Sequence, residues 1–137
     1  MRTSPATTQR AQTPALATVG ERPWGRWRIL ESGDGYQVKL IEVLPGHRLS
    51  LQYHLHRSEI WVKVVGTAGV TVGGRSWDPQ PLEPVVIPVG IVHRLGNTGP
   101  DVLRIIEVQQ GEILSEDDIV RLEDDYQRAT RQVSSKN

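Results

Sequence analysis

The amino-acid sequence predicts an all-β fold, a jelly roll or barrel made of short strands. Turn signals built from Gly, Pro, Asp and Ser recur about every 8–12 residues, the spacing typical of β-sandwiches and barrels. The apolar segments between them are short and rich in Val, Ile and Leu, and the chain of 137 residues contains no Phe. This length fits one domain with a modest core.

The predicted strands follow one another along most of the chain, with turns at residues 32–35, 45–46 and 73–74. In the segment 36–44, alternate residues share a face, so Lys39, Ile41 and Val43 point to the same side. We expect strands at residues 27–30, 36–44, 49–54, 60–65, 69–72, 85–87, 92–95 and 102–109.

A short helix is predicted at the C-terminal end, over residues 115–131. Ser115 and Asp118 have the spacing of a capping box, with Ser115 as the N-cap. Ile119, Leu122 and Tyr126 then recur at helical spacing.

The two ends of the chain are predicted to lie outside the folded domain. Residues 1–20 are rich in Thr, Ala, Pro and Gln without any period, so we expect a disordered tail. The domain then covers residues 21–131, and the polar residues 132–137 are expected to fray.

Composition excludes several classes of function. The 16 basic and 16 acidic residues cancel, so no overall field attracts nucleic acid or a membrane. No apolar run approaches the roughly 18 residues of a membrane span, and no secretory signal is recognisable. The chain has no Cys, which fits a cytoplasmic protein and restricts metal ligands to His, Gln and carboxylates.

A spaced set of polar and turn residues runs through the middle of the chain. Its first half is Gly46, Gln52, His54, Glu59 and Gly66, and its second half is Leu82, Pro88, Gly90, His93 and Asn97. This set resembles the paired motifs of the cupin superfamily, Gly-x5-His-x-His-x(3,4)-Glu-x6-Gly and Gly-x5-Pro-x-Gly-x2-His-x3-Asn. Gln52 replaces the first His, and Leu82 replaces the first Gly of the second motif. The resemblance implies the cupin jelly roll, a double-stranded β-helix barrel.

Four side chains of this set are candidate metal ligands. Gln52 and His54 are two apart on one strand and face the same side. Glu59 follows on the neighbouring strand, and His93 enters from the opposite sheet after a Pro–Gly turn. Two imidazoles, a carboxylate and an amide oxygen suit Zn²⁺, Mn²⁺, Co²⁺ or Fe²⁺. A lone His on a strand is more often structural than a ligand, but the set in register predicts one divalent metal ion.

A second ligand assignment stays open. His56 forms a His-x-His pair with His54 and could replace Gln52 as a ligand. Glu59 would then follow after only two residues, which leaves little chain for a turn. The register counted from Gly46 places Gln52 inside the barrel and His56 at the rim of the pocket, as an acid, a base or a substrate contact.

Longer segments narrow the resemblance. They include Arg-Pro-Trp-Gly at 22–25, Leu-Ser-Leu-Gln at 49–52, Ile-Glu-Val-Gln at 106–109 and Glu-Asp-Asp-Ile-Val-Arg at 116–121. Together they resemble type II phosphomannose isomerase over residues 22–128, a module that is usually the C-terminal domain of a bifunctional guanylyltransferase/isomerase. The resemblance implies a metal-dependent interconversion of mannose 6-phosphate and fructose 6-phosphate. Only a short tail precedes the motifs, so we expect no guanylyltransferase activity.

The resemblance also implies roles for charged residues. Glu107 is the candidate base that moves a proton between C2 and C1, or else a partner that orients a metal-bound His. Arg57, Arg121 and Arg128 match positions implicated in activity and could bind the phosphate. Ion pairing with Glu123, Asp124 or Asp125 is the alternative for each arginine. Arg94 and Lys63 are weaker candidates, and Trp24, Trp27 and Trp61 are expected to pack in the core or at the mouth.

Two departures limit the functional prediction. The isomerase family commonly has Asn at the position of Leu82 and His at the position of Ile60, so a polar pocket residue could be missing. The alternatives are another metal-dependent cupin enzyme and a non-catalytic module that binds a sugar or sugar nucleotide. An Fe²⁺ oxygenase would more often keep three His, so Gln52 argues against it. We also expect a homodimer, with residues 21–30 as the segment that could be exchanged.

Overall fold

The computed structural model describes residues 18–128, which form two antiparallel β-sheets. In spatial order, the six-stranded sheet A contains β1 (Val19–Arg22), β2 (Gly25–Gly33), β3 (Tyr36–Val43), β10 (Leu103–Gly111), β5 (Arg57–Val65) and β8 (Val85–Ile87). The five-stranded sheet B contains β11 (Val120–Glu123), β4 (Leu51–Tyr53), β9 (His93–Asn97), β6 (Ala68–Val72) and β7 (Arg75–Trp77). The predicted all-β jelly roll is confirmed.

The core lies between the two sheets because alternate residues of each strand point inward. In β3, every second residue is buried, as the alternation predicts. Each fully buried Val, Leu or Ile contributes about 1.5–3 kcal/mol relative to an exposed one. The buried apolar residues include Trp24, Ile41, Val43, Trp61, Val70, Val85, Ile87, Leu95, Leu103 and Ile105.

The interior changes from apolar to polar along the barrel. The inward positions of β10 are first Leu103 and Ile105, then Glu107 and Gln109, and all four are buried. The neighbouring strand β3 changes at the same level, because its inward residues pair in register with those of β10. The register therefore collects the buried polar side chains at one end of the barrel, where the pocket lies.

The predicted C-terminal helix is wrong in its described part. The segment forms one 3₁₀ turn (Glu116–Asp118), and strand β11 follows it. β11 pairs with β4, with Val120 opposite Tyr53. That pairing satisfies backbone groups that β4 would otherwise leave open at the edge of sheet B, and a helix could not do so. Residues 129–131 of the predicted helix lie outside the described residues.

The capping prediction is correct for one partner only. The Ser115 side chain accepts a hydrogen bond from the Asp117 backbone N–H, so Ser115 is the N-cap of the turn. The Asp118 carboxylate accepts from the backbone N–H groups of Leu55 and His56 instead of closing a box on Ser115. The Asp118 carboxylate therefore binds the backbone of the loop at residues 55–56 and not the backbone of Ser115.

The ordered domain begins earlier than predicted. Val19 and Gly20, assigned to the disordered tail, belong to β1, where Gly20 pairs with Trp27 of β2. Residues 1–17 and 129–137, including the predicted frayed end at 132–137, lie outside the described residues. No helix within the described part of the chain is long and apolar enough to cross a membrane.

Candidate metal site and pocket

Three buried side chains from the two sheets converge at the polar end of the barrel. His54 follows β4, Glu59 lies on β5, and His93 begins β9. Their ligand atoms all lie within 4.8 Å of one another. His54 Nε2 is 3.1 Å from Glu59 Oε2, and His93 Nε2 is 3.8 Å from Glu59 Oε1. Three of the four predicted ligands thus form one compact cluster.

The hydrogen bonds of the two imidazoles fit a metal ion. His54 Nδ1 lies 3.0 Å from the Asp118 carbonyl oxygen, and His93 Nδ1 lies 2.8 Å from the Ile91 carbonyl oxygen. A carbonyl oxygen only accepts, so each Nδ1 carries a proton, and Nε2 is the ring atom that faces Glu59 and is free to bind a metal when its own proton is absent. Burial lowers the pKa of His93, which favours its neutral form. A divalent cation could bind the Nε2 atoms of both imidazoles and the Glu59 carboxylate at once, whereas a single proton could bridge only one imidazole and the carboxylate.

The structure brings Gln52, but not His56, to the pocket. Gln52 is buried, lies opposite His93 in the register of β4 and β9, and lines the same pocket as the cluster. The His56 side chain is 44% exposed, and its Nδ1 lies 3.0 Å from Asp118 Oδ1. The geometry therefore favours Gln52 as the fourth ligand, and that assignment stays a prediction.

Glu107 is a buried carboxyl group beside the cluster. One of its oxygens accepts a hydrogen bond from Trp61 Nε1 at 3.0 Å, and the other accepts from Gln109 Nε2 at 2.8 Å. Burial, followed by the negative charge of Glu59, raises the pKa of Glu107 to about 8. A group with such a pKa can both hold and release a proton near neutral pH.

Arg57 contacts the cluster instead of pointing to an open phosphate site. Its Nε donates to Glu59 Oε2 at 3.0 Å, and its Nη1 donates to the carbonyl oxygens of Leu114 and Ser115. For Glu59, burial alone would raise the pKa, but the neighbouring His54, Glu107 and Arg57 side chains together lower it. Arg57 thus adds to the lowering of the Glu59 pKa and ties the C-terminal segment to the cluster.

Half-buried arginines line the open side of the same pocket. Arg121 lies on β11 opposite Gln52, and Arg128 follows the next turn, where it donates to Asp124 at 2.8 Å. Arg22 donates to both carboxylate oxygens of Glu116. Arg121 and Arg128 therefore reach one pocket without the predicted helix, and the Asp124 pair is the alternative foreseen for Arg128.

The weaker candidates lie elsewhere. Lys63 donates to Asp78 at 2.8 Å, and Arg94 donates to the Leu49 carbonyl oxygen and to Glu123. The three tryptophans are buried and line the pocket, in keeping with a packing role at its wall: Trp24, Trp27 and Trp61.

The two departures from the family pattern do not lie in the pocket. Leu82 is 74% exposed in the loop before β8, and Ile60 is 39% exposed on the outer face of sheet A. The expectation that either position removes a polar pocket residue is therefore wrong for this structure. Leu82 has a φ of 66°, the left-handed conformation that Gly or Asn adopts more easily.

Sequence reasoning missed some residues of this region. Lys39 lines the pocket, and its signal was present: the alternation of β3 places it beside Ile41 and Val43 on the inner face, where a lysine is rare. For Asp118 there was no comparable local signal, because its partners Leu55 and His56 are 63 and 62 positions away.

Comparison with known proteins gives the family context. Residues 9–124 match the family described as "Mannose-6-phosphate isomerase C-terminal". The chain is 49% identical over 107 residues to mannose-1-phosphate guanylyltransferase ManC of Salmonella typhimurium and 50% identical to alginate biosynthesis protein AlgA of Pseudomonas aeruginosa. The match covers 78% of this chain but 22% of each relative. The chain therefore spans less than a quarter of these relatives.

Solved structures show the same fold at low identity. The capsular polysaccharide assembling protein CapF of Staphylococcus aureus superimposes with a TM-score of 0.67 at 21% identity, over 77% of this chain and 34% of that one. The Cnp3 cupin domain of Schizosaccharomyces pombe superimposes with a TM-score of 0.60 at 13% identity, over 79% and 75%. The fold is thus the cupin barrel that the paired motifs imply.

Proposed function

Because the chain belongs to the mannose-6-phosphate isomerase C-terminal family, we propose that it is a metal-dependent aldose–ketose isomerase that interconverts mannose 6-phosphate and fructose 6-phosphate. The observation that carries the proposal is one pocket that joins a metal-binding group to a carboxyl group with a raised pKa and to half-buried arginines. The reaction needs all three parts.

The metal-binding end of the pocket would hold the two reacting carbons. A divalent cation bound by His54, Glu59 and His93, with Gln52 as the further ligand, would supply Lewis-acid polarisation of a sugar oxygen. Trp61 and Gln109 fix the Glu107 carboxyl group by hydrogen bonds to its two oxygens. Glu107, as a carboxylate, then takes the proton from C2 and returns it to C1, while the hydroxyl proton of O2 passes to O1.

The open side of the pocket would hold the phosphate. Arg121 and Arg128 can present planar guanidinium donors, which suit bidentate contact with phosphate oxygens. Arg57 acts at the other end, where it holds Glu59 in place. Binding of the phosphate at these arginines places C1 and C2 of the sugar beside Glu107 and leaves the phosphate group near solvent.

A coupled assay for fructose 6-phosphate tests the proposal. Metal-stripped protein is resupplied in turn with Zn²⁺, Mn²⁺, Co²⁺ and Fe²⁺, and His54→Ala serves as the blank because it removes a metal ligand. We expect turnover with at least one metal, loss of bound metal and activity in His54→Ala, and loss of turnover with retained metal in Glu107→Gln.

Other outcomes favour other functions. Binding of mannose 6-phosphate without turnover under any metal would favour the non-catalytic binding module, and Glu107→Gln would then leave binding unchanged. Full metal content in His54→Ala would refute the ligand set. The homodimer also stays a proposal, and sedimentation at the mass of one chain would refute it.

A further inference from the structure

Lys39 is a buried lysine in the wall of the pocket. It lies on β3, is only 6% exposed and lines the pocket together with the metal-binding group. Its partner across the strands is Glu107. Its Nζ lies 4.3 Å from the centre of the Trp27 ring. Lysine is almost never fully buried without a partner, so this position requires an explanation.

The fold alone does not satisfy Lys39. Across residues 18–128 its side chain forms no hydrogen bond or ion pair, and its one ring contact is with Trp27. A cation–π contact contributes about 0.5–2 kcal/mol, less than the several kcal/mol that burying an ammonium group costs. Burial lowers the pKa of Lys39, and the charge of Glu107 opposes this shift without forming an ion pair.

Lys63 shows how the same barrel satisfies a structural lysine. It is also 6% exposed, but its Nζ donates to Asp78 at 2.8 Å. Lys63 does not line the pocket, whereas Lys39 does. The difference indicates that the partner of Lys39 is a ligand of the pocket.

The charge of the pocket defines the class of that ligand. Five cationic side chains line it, against three carboxyl groups, one of which has a raised pKa. The charges of Glu107, Glu116 and Glu59 favour the charged form of Lys39, and the charge of Arg57 opposes it. The cations are Arg22, Lys39, Arg57, Arg121 and Arg128, and the carboxyl groups are Glu59, Glu107 and Glu116.

We propose that Lys39 is a further catalytic residue, whose ammonium group donates a hydrogen bond to a hydroxyl or carbonyl oxygen of an anionic sugar that spans the pocket. This inference rests on the proposed function, which supplies such a ligand in mannose 6-phosphate. A fixed cation beside Glu107 stabilises negative charge that develops on the sugar oxygens during proton transfer.

Two matched variants test the contact by kinetics. Lys39→Met keeps the length of the side chain and removes its charge, and Lys63→Met does the same at the buried lysine outside the pocket. We expect kcat/KM for mannose 6-phosphate to fall at least about 30-fold in Lys39→Met and to change less than about threefold in Lys63→Met. Metal content should stay unchanged in both. A Lys39→Met enzyme within about threefold of the wild type would overturn the inference while leaving the isomerase function intact.

An NMR titration of the wild-type protein tests the contact without requiring turnover. The chain has three lysines, Lys39, Lys63 and Lys136, so lysine-selective ¹³C labelling gives three Cε signals, which the two variants help to assign. Addition of mannose 6-phosphate to metal-loaded protein should shift the Lys39 signal and leave the Lys63 signal in place. If no metal supports turnover, the isomerase function fails, and this titration alone decides the contact: a shift supports it, and an unmoved Lys39 signal overturns it.

Discussion

Replacement of Asp118 should loosen both the C-terminal segment and the metal site. The Asp118 carboxylate accepts hydrogen bonds from the backbone N–H of Leu55 at 3.1 Å and of His56 at 2.9 Å, and it lies 3.0 Å from His56 Nδ1. The backbone carbonyl oxygen of Asp118 accepts a hydrogen bond from Nδ1 of His54. The residue thus connects the 3₁₀ turn to the loop that carries a metal ligand.

The expected loss follows from these contacts. A hydrogen bond to a charged group contributes about 1.5–3 kcal/mol, but Leu55 is exposed and His56 is 44% exposed, so water replaces part of what is lost. We therefore expect Asp118→Ala to lower the free energy of unfolding by about 2–4 kcal/mol in total, which lowers the Tm by roughly 10 °C for a domain of this size. Metal affinity should fall about tenfold, because the partner that orients His54 is less well fixed.

Thermal unfolding and a metal-binding isotherm measure the two effects. Asp117→Ala is the matched control, since Asp117 is the adjacent carboxylate, is exposed and contributes only its backbone N–H to the Ser115 cap. Asp118→Ala should melt well below this control and bind metal more weakly. If the two variants melted within about 2 °C of each other and bound metal equally, the role assigned to Asp118 would be wrong.

Three further substitutions test other parts of the structure. Gly111→Ala should destabilise the protein by about 1–3 kcal/mol in a denaturant titration, because the new Cβ would overlap the backbone carbonyl oxygen of His56; Gly74→Ala, where a Cβ meets open space, is its control. Leu82→Asn should raise the free energy of unfolding by about 1 kcal/mol, since it relieves a left-handed backbone and exposes no buried surface; a loss of stability would contradict this. Arg128→Ala should raise the KM for mannose 6-phosphate and leave metal content unchanged, and an unaltered KM would remove Arg128 from the site.

The sequence could predict the sheets because their signal is local. Alternation along the segment 36–44 identifies the inner face of β3 from a few neighbouring residues. Residues 85–87 form the strand expected of them. The spacing of His54, Glu59 and His93 was sufficient to predict that their ligand atoms meet in one cluster. The motif combines strand periodicity with turns of fixed length, and both are local features of the sequence.

The C-terminal segment shows where local signals fail. Ile119 and Leu122 have helical spacing, but β4 offers an open edge that only an extended partner can pair. A capping residue such as Asp118 serves a turn or a distant loop equally well, and nothing in its neighbours distinguishes the two. The segment forms a strand instead of a helix because its hydrogen-bond partners on β4 and in the loop after it lie far away in the sequence.

The sequence by itself thus determined eight of the eleven strands in residues 18–128, the cupin register and the cluster of His54, Glu59 and His93. Only the tertiary structure decided that His56 contacts Asp118, that Arg57 contacts Glu59, and that Lys39 lies buried beside Glu107. Strand periodicity and motif spacing act between near neighbours, whereas the partner of a buried charge depends on which strands pair and in which register, and that is settled only when the two sheets come together.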